Sequence, residues 1–275
     1  MTDTGTPANW HPDPFGRHEL RYWDGAQWTE HVSSHARQSI DPPVGGSAVP
    51  TTKRPTEKIV ADVAKTGAGT GVQGGGTIFT EPVLVVNQKA KLIEVNNEYA
   101  IYDQNGTQLG AVRQVGQSAA KKVLRVISNV DQYLTHKLQV VDVQGNVLLA
   151  LTRPAKLVKS KVIVHDGQGR ELGAIVQQNA IGKIRFSLET GGGQQIGLIQ
   201  AENWRAWNFR ISDHTDTEIA RITKTWEGLA KTMFTTADNF VVQIHGPLDE
   251  PLRSLVVASS LAVDTALKQD SRGLG

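Results

Sequence analysis

Between residues 77 and 244, apolar and polar positions alternate in short runs, and most runs close on a cluster of Asp, Asn, Gln, Thr or Gly. Alternation with period two describes half-buried strands, and such clusters describe the tight turns of hairpins. The pattern recurs five times. Residues 99–102 lead through Asp103-Gln104-Asn105-Gly106 to Leu109-Gly110-Ala111-Val112, and residues 138–143 lead through Gln144-Gly145-Asn146 to 147–151. Residues 162–165 lead through 166–169 to Leu172-Gly173-Ala174-Ile175, and 184–188 lead through Gly191-Gly192-Gly193 to Ile196-Gly197-Leu198. Residues 207–211 lead through 213–217 to Glu218-Ile219-Ala220. About ten to twelve consecutive antiparallel strands predict a sandwich or a closed barrel. Only residues 118–134 break the rhythm, where Val123, Leu124, Val126, Ile127, Val130 and Leu134 take helical spacing.

The last apolar run, 251–269, has a different character. Leu252, Leu255, Val256, Val257, Leu261, Val263, Ala266 and Leu267 leave no polar face, so a helix here must be surrounded. Its uncharged stretch, 254–263, is about half of the ~20 residues that cross a bilayer. Burial in protein is therefore expected. A barrel of about twelve strands has a lumen wider than its own side chains fill. The fold expected is mainly β: a closed antiparallel barrel of about twelve strands around a central hydrophobic C-terminal helix, spanning 77–270.

Two segments precede it. Residues 9–32 carry Trp10, Trp23, Trp28, Tyr22 and Phe15, with Asp24-Gly25 as a turn signal. They predict a small β module in which stacked aromatics replace a conventional core. His11, His18, His31 and His35 lie in or beside it, either as metal ligands or as polar partners at the aromatic edges. No zinc-type ligand spacing supports the former. Residues 33–76 are rich in Pro and Gly and predict a disordered linker, with a weak helical signal at 56–65.

Twenty-nine Lys and Arg against 27 Asp and Glu give a formal charge of +2, so bulk charge does not point to nucleic acid. The absence of cysteine removes disulfides, thiolate metal sites and cysteine catalysis. No nucleophile elbow, phosphate-cradling glycine loop or His-Glu-His spacing is present, so no enzymatic activity is expected. The N-terminal residues show neither a basic nor an apolar signal region, and the chain is expected in the cytoplasm, peripheral at the inner face of the plasma membrane.

Two stretches carry family resemblances. Residues 9–32 resemble a short actinobacterial module of unknown function with the pattern W-x-P-D-P-x-G…R-Y-W-D-G-x-x-W-T-x-H-V. The module offers a protein-partner surface. The run Ile222-Thr-Lys224-Thr-Trp226-Glu-Gly228, then Phe234-Thr235-Thr-Ala237-Asp238-Asn239-Phe240-Val-Val-Gln243, then the C-terminal helix, resembles the phospholipid scramblase family. That family shares the tubby-like barrel with the LURP-one-related proteins, and Arg153-Pro154 also matches. The resemblance implies calcium-stimulated, bidirectional phospholipid movement at a membrane. Asp238, Asn239, Asp249 and Glu250 are the calcium candidates, against a purely structural role in which Asp238-Asn239 caps a turn and Phe240 packs in the barrel. The family's cysteine-rich segment is replaced by Ala-Lys156-Leu-Val-Lys159-Ser-Lys161. Arg153, Lys156, Lys159 and Lys161, with Lys121, Lys122 and Arg125, are the candidates for contact with anionic lipid, each worth about 1 kcal/mol near such a surface. The competing expectation is an interaction or scaffold protein with no lipid function. Trp204, Trp207, Phe209 and Trp226 are expected in the barrel core rather than as a ligand box, with Trp204, at a hairpin entry, the first candidate for an exception.

Overall fold

The computed structural model describes residues 7–13, 18–25, 28–41, 56–68, 72–88, 97–115, 136–154, 160–179, 182–203, 208–226 and 238–270. The first four strands, β1 (Asn9–Pro12), β2 (Leu20–Trp23), β3 (Trp28–Ser34) and β4 (Arg37–Ile40), form a sheet in sequence order. The aromatic edges meet as expected: Trp23 and Trp28 lie T-shaped at 5.3 Å, and Trp10 and Tyr22 at 5.4 Å. The centre, however, is ionic. Arg21 is fully buried; its Nε donates to Asp13 at 2.7 Å and its Nη2 to Asp41 at 2.7 Å. The third strand runs past Val32 and β4 follows it, so the module reaches Ile40 rather than ending at 32. The linker is shorter than its composition predicts, because Asp41 is needed to close the Arg21 cluster.

The helical signal at 56–65 is a real helix, α1 (Thr56–Thr66). Its Ile59 and Val63 are buried against Val83, Val85, Tyr102 and Val241, which ties part of the expected linker to the barrel.

The barrel has twelve strands: β5 (Val83–Gln88), β6 (Asn97–Tyr102), β7 (Gln108–Val115), β8 (His136–Asp142), β9 (Val147–Arg153), β10 (Lys161–Asp166), β11 (Glu171–Gln177), β12 (Arg185–Thr190), β13 (Gln195–Ala201), β14 (Asn208–Asp213), β15 (Glu218–Trp226) and β16 (Asp238–Ile244). Each pairs antiparallel with the next, β10 with β9 and β16 with β5, so the sheet closes. α2 (Leu252–Asp270) runs in the lumen, with Leu255, Val256, Ala258, Leu261 and Val263 at most 2% exposed. Facing them are Leu84, Ile101, Val140, Leu149, Val164, Ile175, Leu188, Ile199, Ile211, Ile222 and Phe240.

Five tight turns close one end. In each, the first residue's N–H donates to the fifth residue's carbonyl, and the fourth residue's N–H donates back, at 103–107, 142–146, 166–170, 190–194 and 213–217. The fourth residue takes positive φ: Gly106, Gly145, Gly169, Gly193 and, in the last turn, Asp216 at 63°. The first side chain locks the turn. Asp103 Oδ1 accepts the N–H groups of Asn105 and Thr107, Asp166 those of Gln168 and Arg170, and Asp213 those of Thr215 and Thr217. Beside each turn the register slips by one residue, as at Val164/His165 and Leu188/Glu189. In four of the five repeats a small residue, Gly110, Gly173, Gly197 or Ala220, sits at this bulge; in β8–β9 the position is Leu149. A Cβ on Gly173 would lie 2.1 Å from the Glu189 carbonyl and 3.3 Å from Leu255 of α2, so glycine there admits both the bulge and the helix.

The predicted helix at 118–134 lies outside the described residues, as do Trp204 and Trp207. Phe209 is in the core, fully buried.

Candidate functional site

The five tight turns leave the longer connections at the opposite end. There several described strands carry cations, although β6 starts at Asn97-Glu98 and β16 at Asp238. β8 starts at His136-Lys137, β10 at Lys161 and β12 at Arg185; β7 approaches that end through Arg113 and β15 through Lys224. The turn end carries acids: Asp103, Asp142, Asp166, Glu171, Asp213, Asp216 and Glu218. This acidity follows from the turn chemistry, because a carboxylate locks four of the five turns. The cations at the turn end are neutralised, Arg170 by Asp166 at 2.7 Å and Arg253 by Glu250 at 2.9 Å. Glu202, an exposed acid at the loop end, is held by Arg221 at 2.6 Å.

The turn acids are strongly engaged. For Asp213 the Thr215 hydroxyl is the leading cause, and it holds the carboxyl below its ordinary range. Burial pushes Asp166 up, but the N–H and guanidinium of Arg170 and the N–H of Gln168 outweigh it. The Arg210 guanidinium holds Asp216 low.

The lipid candidates divide. Lys161 is exposed at the head of β10. Arg153 is a correction: it ends β9 but is 4% exposed, turned inward with the buried end of its strand, so it adds no charge to an outer surface. Lys156 and Lys159 lie outside the described residues, in the connection between Pro154 and Ser160. Lys121, Lys122 and Arg125 also lie outside them, between the ends of β7 and β8. The described strand ends that flank these two segments, those of β7, β8, β9 and β10, lie at one end of the barrel. Sequence reasoning missed Lys183, Arg185 and Arg210, because they are spread over two strands and the connection that leads into β12. Only the register brings them together: Arg185 pairs with Gln200 and Gln200 with Arg210.

Of the calcium candidates, the Asp238 side chain lies outside the described residues, and the other three do not fit one ion. Asn239 is fully buried on the outer wall; its Oδ1 accepts from Asn87 Nδ2, and its Nδ2 donates to Asp62 Oδ2 of α1 at 2.8 Å. Asp249 and Glu250 precede α2 at the turn end, and the five residue steps of β16 from Asn239 to its last residue span about 17 Å of strand. Glu250 is spent on Arg253 and the Ser254 N–H. Among the described residues no group of three or more His, Asp or Glu is placed to hold a metal. In the N-terminal module, His18 bonds Asp41 at 3.1 Å and Ser34 at 3.3 Å, and His11 stands edge-on to Trp28 at 5.9 Å, as polar and aromatic-edge partners do.

Among the described residues no helix is long and apolar enough to cross a membrane. The barrel's inner face is apolar and its outer face carries Arg185, Gln200, Arg210 and Arg221, the reverse of a barrel whose wall meets lipid.

Compared with known protein families, residues 72–267 match the Scramblase family, and residues 8–41 match a family described as a protein of unknown function, DUF2510. No curated protein and no solved structure gives a significant match.

Proposed function

The chain belongs to the scramblase family, and from that premise we propose that it is a phospholipid-binding protein that meets an anionic membrane surface with the loop end of its barrel. The observation that carries this reading is the separation of charge along the barrel axis, cations at the loop rim and acids at the turns. An anionic leaflet attracts one end and repels the other, which orients the molecule on approach. The cytoplasmic leaflet, where anionic lipid is concentrated, is the surface proposed. α2 fills the lumen, which supports binding at the rim over passage of headgroups through the barrel.

Flotation of the full-length protein with liposomes, with and without anionic lipid and at two salt concentrations, tests it. Binding should require anionic lipid and weaken as salt shortens the Debye length. Charge reversal at Lys156, Lys159 and Lys161 together should weaken it about a hundredfold or more, at ~1 kcal/mol per cation removed. Unchanged flotation of that variant would sink the proposal. A second reading, a protein-interaction role, is favoured by one observation: Leu20 is 37% exposed beside the half-buried Tyr22 and Trp10 on one face of the N-terminal sheet. Anion-independent retention of a protein partner through that face would support it.

A further inference from the structure

On the outer wall near the loop rim, Lys183, Arg185, Gln200, Ala201, Glu202 and Arg210 line a cleft of about 280 Å³. Its charges are not equivalent. Arg210 is tied by Asp216 at 2.7 Å and approached by Glu218 at 3.5 Å. The Glu202 carboxylate is tied by Arg221 at 2.6 Å, so it is not spent on the cations of the cleft. Lys183 Nζ donates to the Glu202 carbonyl at 2.8 Å, a contact that fixes the ammonium without neutralising it. Among the described residues no carboxylate pairs with Arg185 or Lys183. Two uncompensated cations thus face one cleft, with the Gln200 amide opposite Arg185 in the register.

We infer that this cleft binds a phosphate group, as part of a phospholipid headgroup or of a soluble phosphate ester. A guanidinium offers paired N–H donors that match two phosphate oxygens, and a fixed ammonium supplies a point charge on a third. The Gln200 amide adds neutral donors. The volume is at the small end of ligand sites, and among the described residues the only apolar one that lines it is Ala201. The described lining, mostly charged and amide side chains, suits a polar headgroup. Arg210 acts differently from the other two: pinned by its two acids, it shapes the floor of the cleft. The site rests on the lipid-binding reading for its lipid source alone, not for its phosphate chemistry.

The test uses the full chain and three proteins: wild type, Arg185→Gln and Lys183→Gln. Both side chains are exposed, so the variants should melt with the wild type. In the first arm, glycerol phosphate is titrated while the Gln200 side-chain amide resonances, present in all three proteins, are followed. A saturable shift in the wild type, with binding lost in Arg185→Gln and about fivefold weaker in Lys183→Gln, is the result expected. In the second arm, vesicles of phosphatidylcholine with about one fifth phosphatidylglycerol are floated. Weaker flotation of both variants assigns the site to headgroups; equal flotation with the first arm positive assigns it to soluble phosphate esters. No saturable shift, with wild-type vesicle binding intact and insensitive to both substitutions, overturns the site and leaves the lipid-binding reading standing. Loss of wild-type vesicle binding with a positive first arm does the opposite.

Discussion

Asp213 shows how one residue serves both folding and charge. Its carboxylate accepts two backbone N–H groups and the Thr215 hydroxyl, closing the turn between β14 and β15. These donors hold its pKa below the ordinary value near about 4. A lowered folded pKa contributes stability above the unfolded pKa, and that contribution is lost as pH falls through the folded value. Asp166 and Asp216 act in the same direction. Asp213→Asn should therefore be less stable than the wild type at neutral pH, with the difference shrinking as pH falls below the carboxylate range. Thermal melts of both proteins at a series of pH values check this; a difference independent of pH would mean that the carboxylate's charge does not matter. The turn at Asp213 was legible in the sequence, because Asp and Thr between alternating strands have known turn roles. That its carboxylate also makes one end of the barrel acidic was not, since that depends on all five turns lying together.

At the scale of elements, the informative one is α1. Its composition is that of a linker, and its sequence signal is weak. Its position depends on a polar contact across 177 residues of sequence, Asp62 to Asn239, with Asn87 on the other side. Asn239 belongs to the same motif that suggests calcium, and the structure gives it a packing role instead. All three side chains are buried, at 3%, 0% and 9% exposure for Asp62, Asn239 and Asn87. Removing the Asp62 acceptor leaves a buried amide donor unsatisfied, a cost of about 1–3 kcal/mol. Asp62→Ala should release α1, seen as faster hydrogen exchange at Ile59 and Val63 with core strands such as β14 still protected. Val60→Ser, at a position 46% exposed, should leave exchange unchanged. If Asp62→Ala also leaves it unchanged, the apolar contacts of Ile59 and Val63 suffice to dock the helix.

For the molecule as a whole, the barrel distributes its chemistry by end: acids at the tight turns, cations at the longer connections, and an apolar helix between them. That division also bears on calcium, whose candidate residues fall at both ends and on a wall already packed. A folded-state site held at ten times its dissociation constant would add ~1.4 kcal/mol of stability. Millimolar calcium should leave the melting temperature of the full chain where it is without calcium. A rise that the Glu250→Gln variant abolishes would show that Glu250 binds calcium after all.

Alternation, turn residues and an all-round apolar helix were enough to specify a twelve-stranded barrel closed on a C-terminal helix. Those signals are local, or need only the requirement that an apolar helix be enclosed. What only the tertiary structure decided are the relations that local signals do not encode. Arg21 became the centre of the N-terminal module because Asp13 and Asp41 converge on it from both ends of the sheet. Arg153 turned inward because its place at the end of β9 faces it toward the buried side. Lys183, Arg185 and Arg210 became one cleft because strand register, which depends on how every strand of the closed barrel pairs, set Arg185, Gln200 and Arg210 side by side.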